Sequence, residues 1–178
     1  RNFAKALGGK TGNYAGTEYK ITNLRGHVMG LLPPDKQVPT EKVEFYKSWD
    51  LENLPWNLND FAWKKGILSG CKDIISGLKD ELKGADCVVI ATDVDPSGEG
   101  ELLAWEALEK CGWRGPTKRM YFADEAPASV QKAFRERKTL PSMDKDGDYV
   151  KAVVRERWDL ASMQFTRAAT LVARKKGF

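Results

Sequence analysis

The chain has 178 residues, 42% hydrophobic and 30% charged, which suits one globular domain, or one and part of another, and excludes a disordered chain. No apolar run approaches the ~18–20 residues needed to cross a bilayer, no secretory signal opens the chain, and three scattered cysteines and one histidine exclude a disulfide framework and a multi-histidine metal site. Net charge is +4 and uneven: seven Lys or Arg against Glu156 and Asp159 give residues 151–178 a balance of +5, leaving −1 for residues 1–150.

"RNFAKAL" predicts a short helix closed by Gly8 and Gly9, entered without a cap or preceding strand. "TEYKITNL" alternates like a strand, and "RGHVMGLLPP" reads as a turn or short strand before its prolines. Residues 32–60, rich in Pro, Trp and Asn, predict a long ordered loop. "CKDIISGLKDELKGAD" sets Ile74, Ile75, Leu78 and Leu82 on one helical face, with Gly84 as a stop. "CVVIAT" is the continuous apolar run of a central parallel strand. A helix over "GELLAWEALEKCG", a strand over "KRMYFA" and a helix over "APASVQKAFRER" follow, with Pro127 in the first turn of the last. This alternation predicts an α/β fold. "KTLPSMDKDGD" reads as a linker, its "DKDGD" as a solvated turn, and residues 148–175 as one long helix or two.

The chemistry concentrates in "ATDVDPSGEGE", where the central strand ends. Ligands of open α/β sheets bind at the carboxyl ends of strands. Asp93 and Asp95, two apart there, can point the same way and offer the oxygen ligands that suit Mg²⁺. Glu99 and Glu101 fall in the first turn of the next helix, where acids either join the metal site or merely complement the helix dipole. Unscreened, Asp93, Asp95 and Glu99 repel, which predicts a raised carboxyl pKa among them. An EF-hand reading fails, because its twelfth position would be Ala104 rather than Glu. A P-loop reading of "GGKT" fails as well, because its first glycine would fall at Ala4.

A hydrophobic strand ending in DxD, then acids entering a helix, resembles the TOPRIM domain. "GEGELLAWEAL" is similar to the EGE-plus-helix signature of type IA DNA topoisomerases, "ITNLRGHVMGLLPP" to their GH segment and "YKSWDLENLPW" to their W-x-L-x-x-LP stretch. "VVRERWDLASMQFTRAATL" resembles the helix opening their next domain, in the topoisomerase III branch. The resemblance implies a TOPRIM-type, Rossmann-like parallel sheet flanked by helices over residues 1–140, with a C-terminal helical extension, residues 141–178, that starts the adjoining domain. It implies a parent enzyme that cleaves and religates one DNA strand with Mg²⁺, with Asp93, Asp95 and Glu99 as catalytic acids and these three with Glu101 as metal ligands. His27 matches the GH position near DNA, and Arg155, Arg157 and Arg167 the phosphate-contacting helix; a structural histidine and a solvated helix face are the plain alternatives.

Two departures accompany the match. The family spacing is close to DxDxEGE, whereas Pro96, Ser97 and Gly98 stand between Asp95 and Glu99, so either Glu99 or Ser97 takes the third acid position. The family's first-strand glutamate precedes the segment that "RNFAKAL" resembles, and no tyrosine here matches its nucleophile, so residues 1–178 are expected to be inactive alone. The expected partner is DNA, single-stranded, with the remaining topoisomerase domains outside this chain; the expected location is the cytoplasm. Two other readings stay open: a primase-like TOPRIM nucleotidyl transferase, and a non-catalytic nucleic-acid-binding module. The six tryptophans could stack on bases or anchor core and loop.

Overall fold

The computed structural model describes residues 2–177. In chain order its elements are α1 (Asn2–Leu7), β1 (Thr11–Tyr14), β2 (Thr17–Lys20), β3 (Met29–Leu31), α2 (Val43–Tyr46), β4 (Lys65–Ile67), α3 (Lys72–Glu81), β5 (Val88–Ile90), α4 (Glu99–Cys111), β6 (Thr117–Arg119), α5 (Pro127–Arg135), β7 (Lys138–Thr139) and α6 (Gly147–Lys175). They form two compact units, Arg1–Val28 with Leu68–Ala152 and Met29–Ile67 with Val153–Phe178. None of the described helices is long and apolar enough to cross a membrane.

The first unit is mixed α/β. Its sheet runs β5–β6–β7, with β5 and β6 parallel, Val88 opposite Thr117 and Ile90 opposite Arg119, and β7 joined antiparallel. β5 is apolar throughout because both of its faces are covered. Val89 packs against the core of Leu7, Met120, Val130 and Phe134, beside α1 and α5. Val88 and Ile90 face the other way, onto Ala104, Trp105 and Leu108 of α4. α4 stops where Gly112 turns left-handed at φ 78°; there Trp113 N–H donates to the Leu108 carbonyl at 3.0 Å. β1 and β2 make a hairpin whose turn residues, Ala15 and Gly16, have φ of 50° and 76°. Positive φ at both positions matches the twist of the paired strands.

In the second unit β3 pairs antiparallel with β4, Met29 opposite Ile67. The segment expected as an ordered loop is ordered by aromatic packing: Tyr46, Leu54, Trp56 and Phe61 are buried together, with Trp49, Trp63, Leu160 and Ala168 against them. Two buried amides satisfy backbone groups outside these strands. Gln37 donates to the Leu32 and Lys64 carbonyls and accepts from Lys64 N–H, and Gln164 accepts Trp56 N–H at 2.6 Å.

Three local expectations change. The strand expected over "KRMYFA" is confined to Thr117–Arg119, the residues paired with β5 over Val88–Ile90. The expected linker is structured: Lys138–Thr139 are that partner, and Asp146, taken as part of a solvated turn, is 5% exposed. Residues 141–152 lie in the first unit. α6 is one continuous helix of 29 residues.

Candidate functional site

The loop from β5 to α4 carries the acids, and its backbone is held from beneath. Arg119, at the end of β6, is fully buried. Its Nε donates to Glu101 Oε1 at 2.5 Å. Its Nη1 donates to the carbonyls of Thr92 at 2.7 Å and Met120 at 2.9 Å, and its Nη2 to that of Asp93 at 3.0 Å. With those carbonyls drawn inward, Asp93 and Val94 are left exposed.

Asp95 is half-buried, and its Oδ1 accepts Ser97 N–H at 2.7 Å and the Ser97 hydroxyl. The Ser97 hydroxyl first, then the amides of Ser97, Gly100 and Glu99, hold the Asp95 carboxyl below its ordinary pKa. Mutual repulsion was expected to raise a carboxyl in this cluster; at Asp95 the direction is the reverse. The reason is placement, since the carboxylate faces the amide-rich N-terminus of α4, where negative charge is favoured.

Two glycines of "SGEGE" are required by close approach. Gly98 caps α4 at φ 74°, and a Cβ there would collide with the Asp148 carbonyl. A Cβ on Gly100 would meet Thr92 Oγ1 and the Asp93 carbonyl. Glu99 opens α4 on the exposed side, its Oε1 2.9 Å from His27 Nε2. The structure thus joins two residues that the sequence nominated separately. Glu101, nominated as a ligand, is 3% exposed and paired with Arg119. Among the described residues, no three carboxylate, histidine or thiol groups converge on one point in this arrangement. The donors nevertheless suit a hard cation: Asp95 is ionised, Asp93 is exposed two residues away, and both offer carboxylate oxygen.

Sequence reasoning missed three contributors here. Arg119 is one; its signal was an arginine heading an apolar strand-like run. Asp146 is another: it accepts Trp105 Nε1–H at 2.7 Å and Asp148 N–H at 3.1 Å, and so caps α6. The third is Lys151, 2.7 Å from Asp148 Oδ1. Its ammonium is held charged chiefly by Asp148, with Glu101 and Asp95 adding to the effect.

The nominated arginines lie in the second unit, on exposed positions of α6. Arg155 faces Asp159 at 3.9 Å, Arg157 stacks its guanidinium over Trp63 at 4.8 Å, and Arg167 lines an open groove with Trp49, Met163 and Thr170. Trp56 and Trp105 are core residues, and Trp158 is 70% exposed.

Comparison with known proteins follows the same segments. The chain is 28% identical over 141 residues to DNA topoisomerase 3 of Staphylococcus epidermidis, covering 78% of this chain and 19% of that protein. With DNA topoisomerase 3 of Bacillus subtilis it shares 27% over 160 residues, covering 89% and 21%. With that of Bacillus cereus (strain ATCC 14579) it shares 28% over 174 residues, covering 96% and 23%. The chain therefore spans about a fifth of the length of these curated relatives. The Toprim domain model matches residues 1–124, a range that holds the hairpin, β5, the acid loop, α4 and β6. With an acid-bearing loop leaving a doubly covered parallel strand and running straight into α4, the chain belongs to the Toprim domain family.

Proposed function

We propose that this chain is the Toprim region of a type IA DNA topoisomerase of the topoisomerase 3 kind, whose parent protein cleaves and religates one DNA strand. The observation that carries the reading is the Asp93-Val94-Asp95 loop at the carboxyl end of β5, in a chain that aligns with DNA topoisomerase 3 over as many as 174 residues. That alignment favours the topoisomerase over a primase-like transferase or a vestigial binding module.

In this reading Asp93, Asp95 and Glu99 hold Mg²⁺. When bound, the cation would orient the scissile phosphate and offset its charge during religation. Asp95 is the fixed ligand, because the α4 amides and Ser97 keep it ionised and in place. Glu99 is the movable one: its side chain is 51% exposed and can rotate from His27 toward the two aspartates. Ser97 supports Asp95 rather than replacing Glu99 as the third acid. Glu101 serves as counter-ion to Arg119, in place of the ligand role expected from its position in the first turn. Arg155, Arg157 and Arg167 contact phosphates of single-stranded DNA, His27 lies near the strand, and the protein works in the cytoplasm.

The test uses the full-length protein on negatively supercoiled plasmid with Mg²⁺. The parent relaxes it, and Asp93→Asn with Asp95→Asn lowers the rate by at least about two orders of magnitude, as expected when metal-borne charge stabilisation is lost. Relaxation at the parental rate in that variant would remove the acids from the mechanism.

A further inference from the structure

One buried cation holds the first residues of the acid loop, Thr92 and Asp93, by their carbonyls. Arg119 is 0% exposed, yet its buried counter-charge, Glu101, occupies only Nε, at 2.5 Å. The two terminal nitrogens go to main-chain carbonyls: Thr92 at 2.7 Å, Asp93 at 3.0 Å and Met120 at 2.9 Å. Thr92 and Asp93 have left the sheet, where no strand partner is available for their carbonyls. A buried carbonyl without a donor is costly, and a guanidinium is the one side chain with enough fixed donors to serve several at once.

We infer that Arg119 is the positioning residue of the acid loop: its planar fork fixes the backbone of Thr92 and Asp93, and through it the direction in which the Asp93 carboxylate points and the path on which the chain reaches Asp95, whose carboxylate Ser97 then holds. Glu101 neutralises the fork and is not itself a cation ligand. The part of this that concerns cation affinity rests on the reading of Asp93 and Asp95 as metal ligands; the part that concerns loop order does not. Lysine at 119 keeps the charge and can keep Glu101, but a single ammonium cannot span three carbonyls in different directions.

Two variants of residues 1–178 test it: Arg119→Lys, and Arg119→Met with Glu101→Leu. The second removes both charges together, a replacement that often leaves stability unchanged or improved, so it stays informative if the lysine variant fails to fold. Amide hydrogen exchange is followed without metal, and Mn²⁺ affinity is measured by titration well below each melting temperature. The expected result in both variants is exchange at least tenfold faster in residues 91–98, with the β1–β2 hairpin exchanging as in the parent, and Mn²⁺ bound at least tenfold more weakly. A merely structural ion pair would lower the melting temperature and speed exchange everywhere without changing affinity at low temperature, and that result overturns the inference. Unchanged exchange in residues 91–98 overturns it as well. Asp93→Asn with Asp95→Asn separates the two readings. If neither it nor the parent binds Mn²⁺, the metal reading fails, while faster exchange confined to residues 91–98 still upholds Arg119 as the positioning residue.

Discussion

Mg²⁺ should stabilise this chain through Asp93 and Asp95, and the size of the effect follows from the arrangement. Asp95 needs no proton removed near neutrality, because Ser97 and the first amides of α4 hold its carboxyl below the ordinary range. Asp93 is exposed and adds a second carboxylate without desolvation. Glu99 must first leave His27, a contact with side chains 51% and 48% exposed. An exposed pair of this kind is worth about 0.2–1 kcal/mol, so it costs the site up to about fivefold in affinity. Two ready carboxylates and one restrained one predict weak binding, with a dissociation constant of about 1 mM. At about 10 mM Mg²⁺, mass action then stabilises the folded chain by about 1.4 kcal/mol. For a chain of this length that raises the melting temperature by about 3–6 °C. The assay is thermal unfolding of residues 1–178 with and without MgCl₂ at constant ionic strength. Asp93→Asn with Asp95→Asn should abolish the increment, and His27→Ala should enlarge it by freeing Glu99. The quantity compared is the increment and not the melting temperature itself, since Asp95→Asn also weakens the Ser97 hydrogen bonds that order the turn before α4. An equal increment in the double variant, or none in the parent, refutes the reasoning.

Tyr46→Phe tests the second unit. The Tyr46 hydroxyl donates to Asp60 Oδ2 at 2.6 Å, and burial first, then Asp60, push its pKa up to about 12. The unfolded chain ionises this phenol from about pH 10, so parental stability should fall between pH 10 and 12, and the variant should lose that slope in alkaline denaturation. Trp105→Phe leaves the buried Asp146 carboxylate without its indole donor; the expected cost is about 2–3 kcal/mol, read as a fall in urea midpoint at unchanged m-value. Single-stranded DNA binding should be weak, with a log–log salt slope of about −1.5 to −3, because few of the α6 arginines share a face; Arg155→Ala with Arg167→Ala should flatten it by about one unit, measured by fluorescence anisotropy. Negatively supercoiled plasmid incubated with residues 1–178 and Mg²⁺ should stay unrelaxed on a gel, since none of Tyr14, Tyr19, Tyr46, Tyr121 and Tyr149 matches the family nucleophile.

Much of the site was legible along the chain because its pieces are consecutive. The apolar run of β5, the turn residues Pro96, Ser97 and Gly98, and the acids opening α4 occupy one stretch, and local chemistry specifies each. An apolar run of this length says strand, and acids opening a regular helical pattern say helix start. The same holds for α3, whose apolar face buries Ile75 and Leu78, and for α6, expected as one long helix or two over residues 148–175. Where local signals were thin, the reading slipped: "DKDGD" looks like any solvated turn until Asp146 is seen beneath Trp105.

The pairings that give the site its electrostatics were decided in three dimensions. Arg119 meets Glu101 across 18 positions because β6 lies parallel to β5 with Ile90 opposite Arg119, a register that neither strand encodes alone. His27 reaches Glu99 across 72 positions, and Asp146 reaches Trp105 across 41. Contacts at such separations leave no period in the sequence, and their strength depends on burial that only packing creates. Sequence by itself determined that four carboxylates would gather where a buried strand becomes a helix. Only the tertiary structure separated their environments: Asp93 in water, Asp95 against helix amides, Glu99 beside a histidine and Glu101 neutralised in the core. A carboxylate's behaviour is set by which donors and charges surround it, and those arrive from elements distant in the chain.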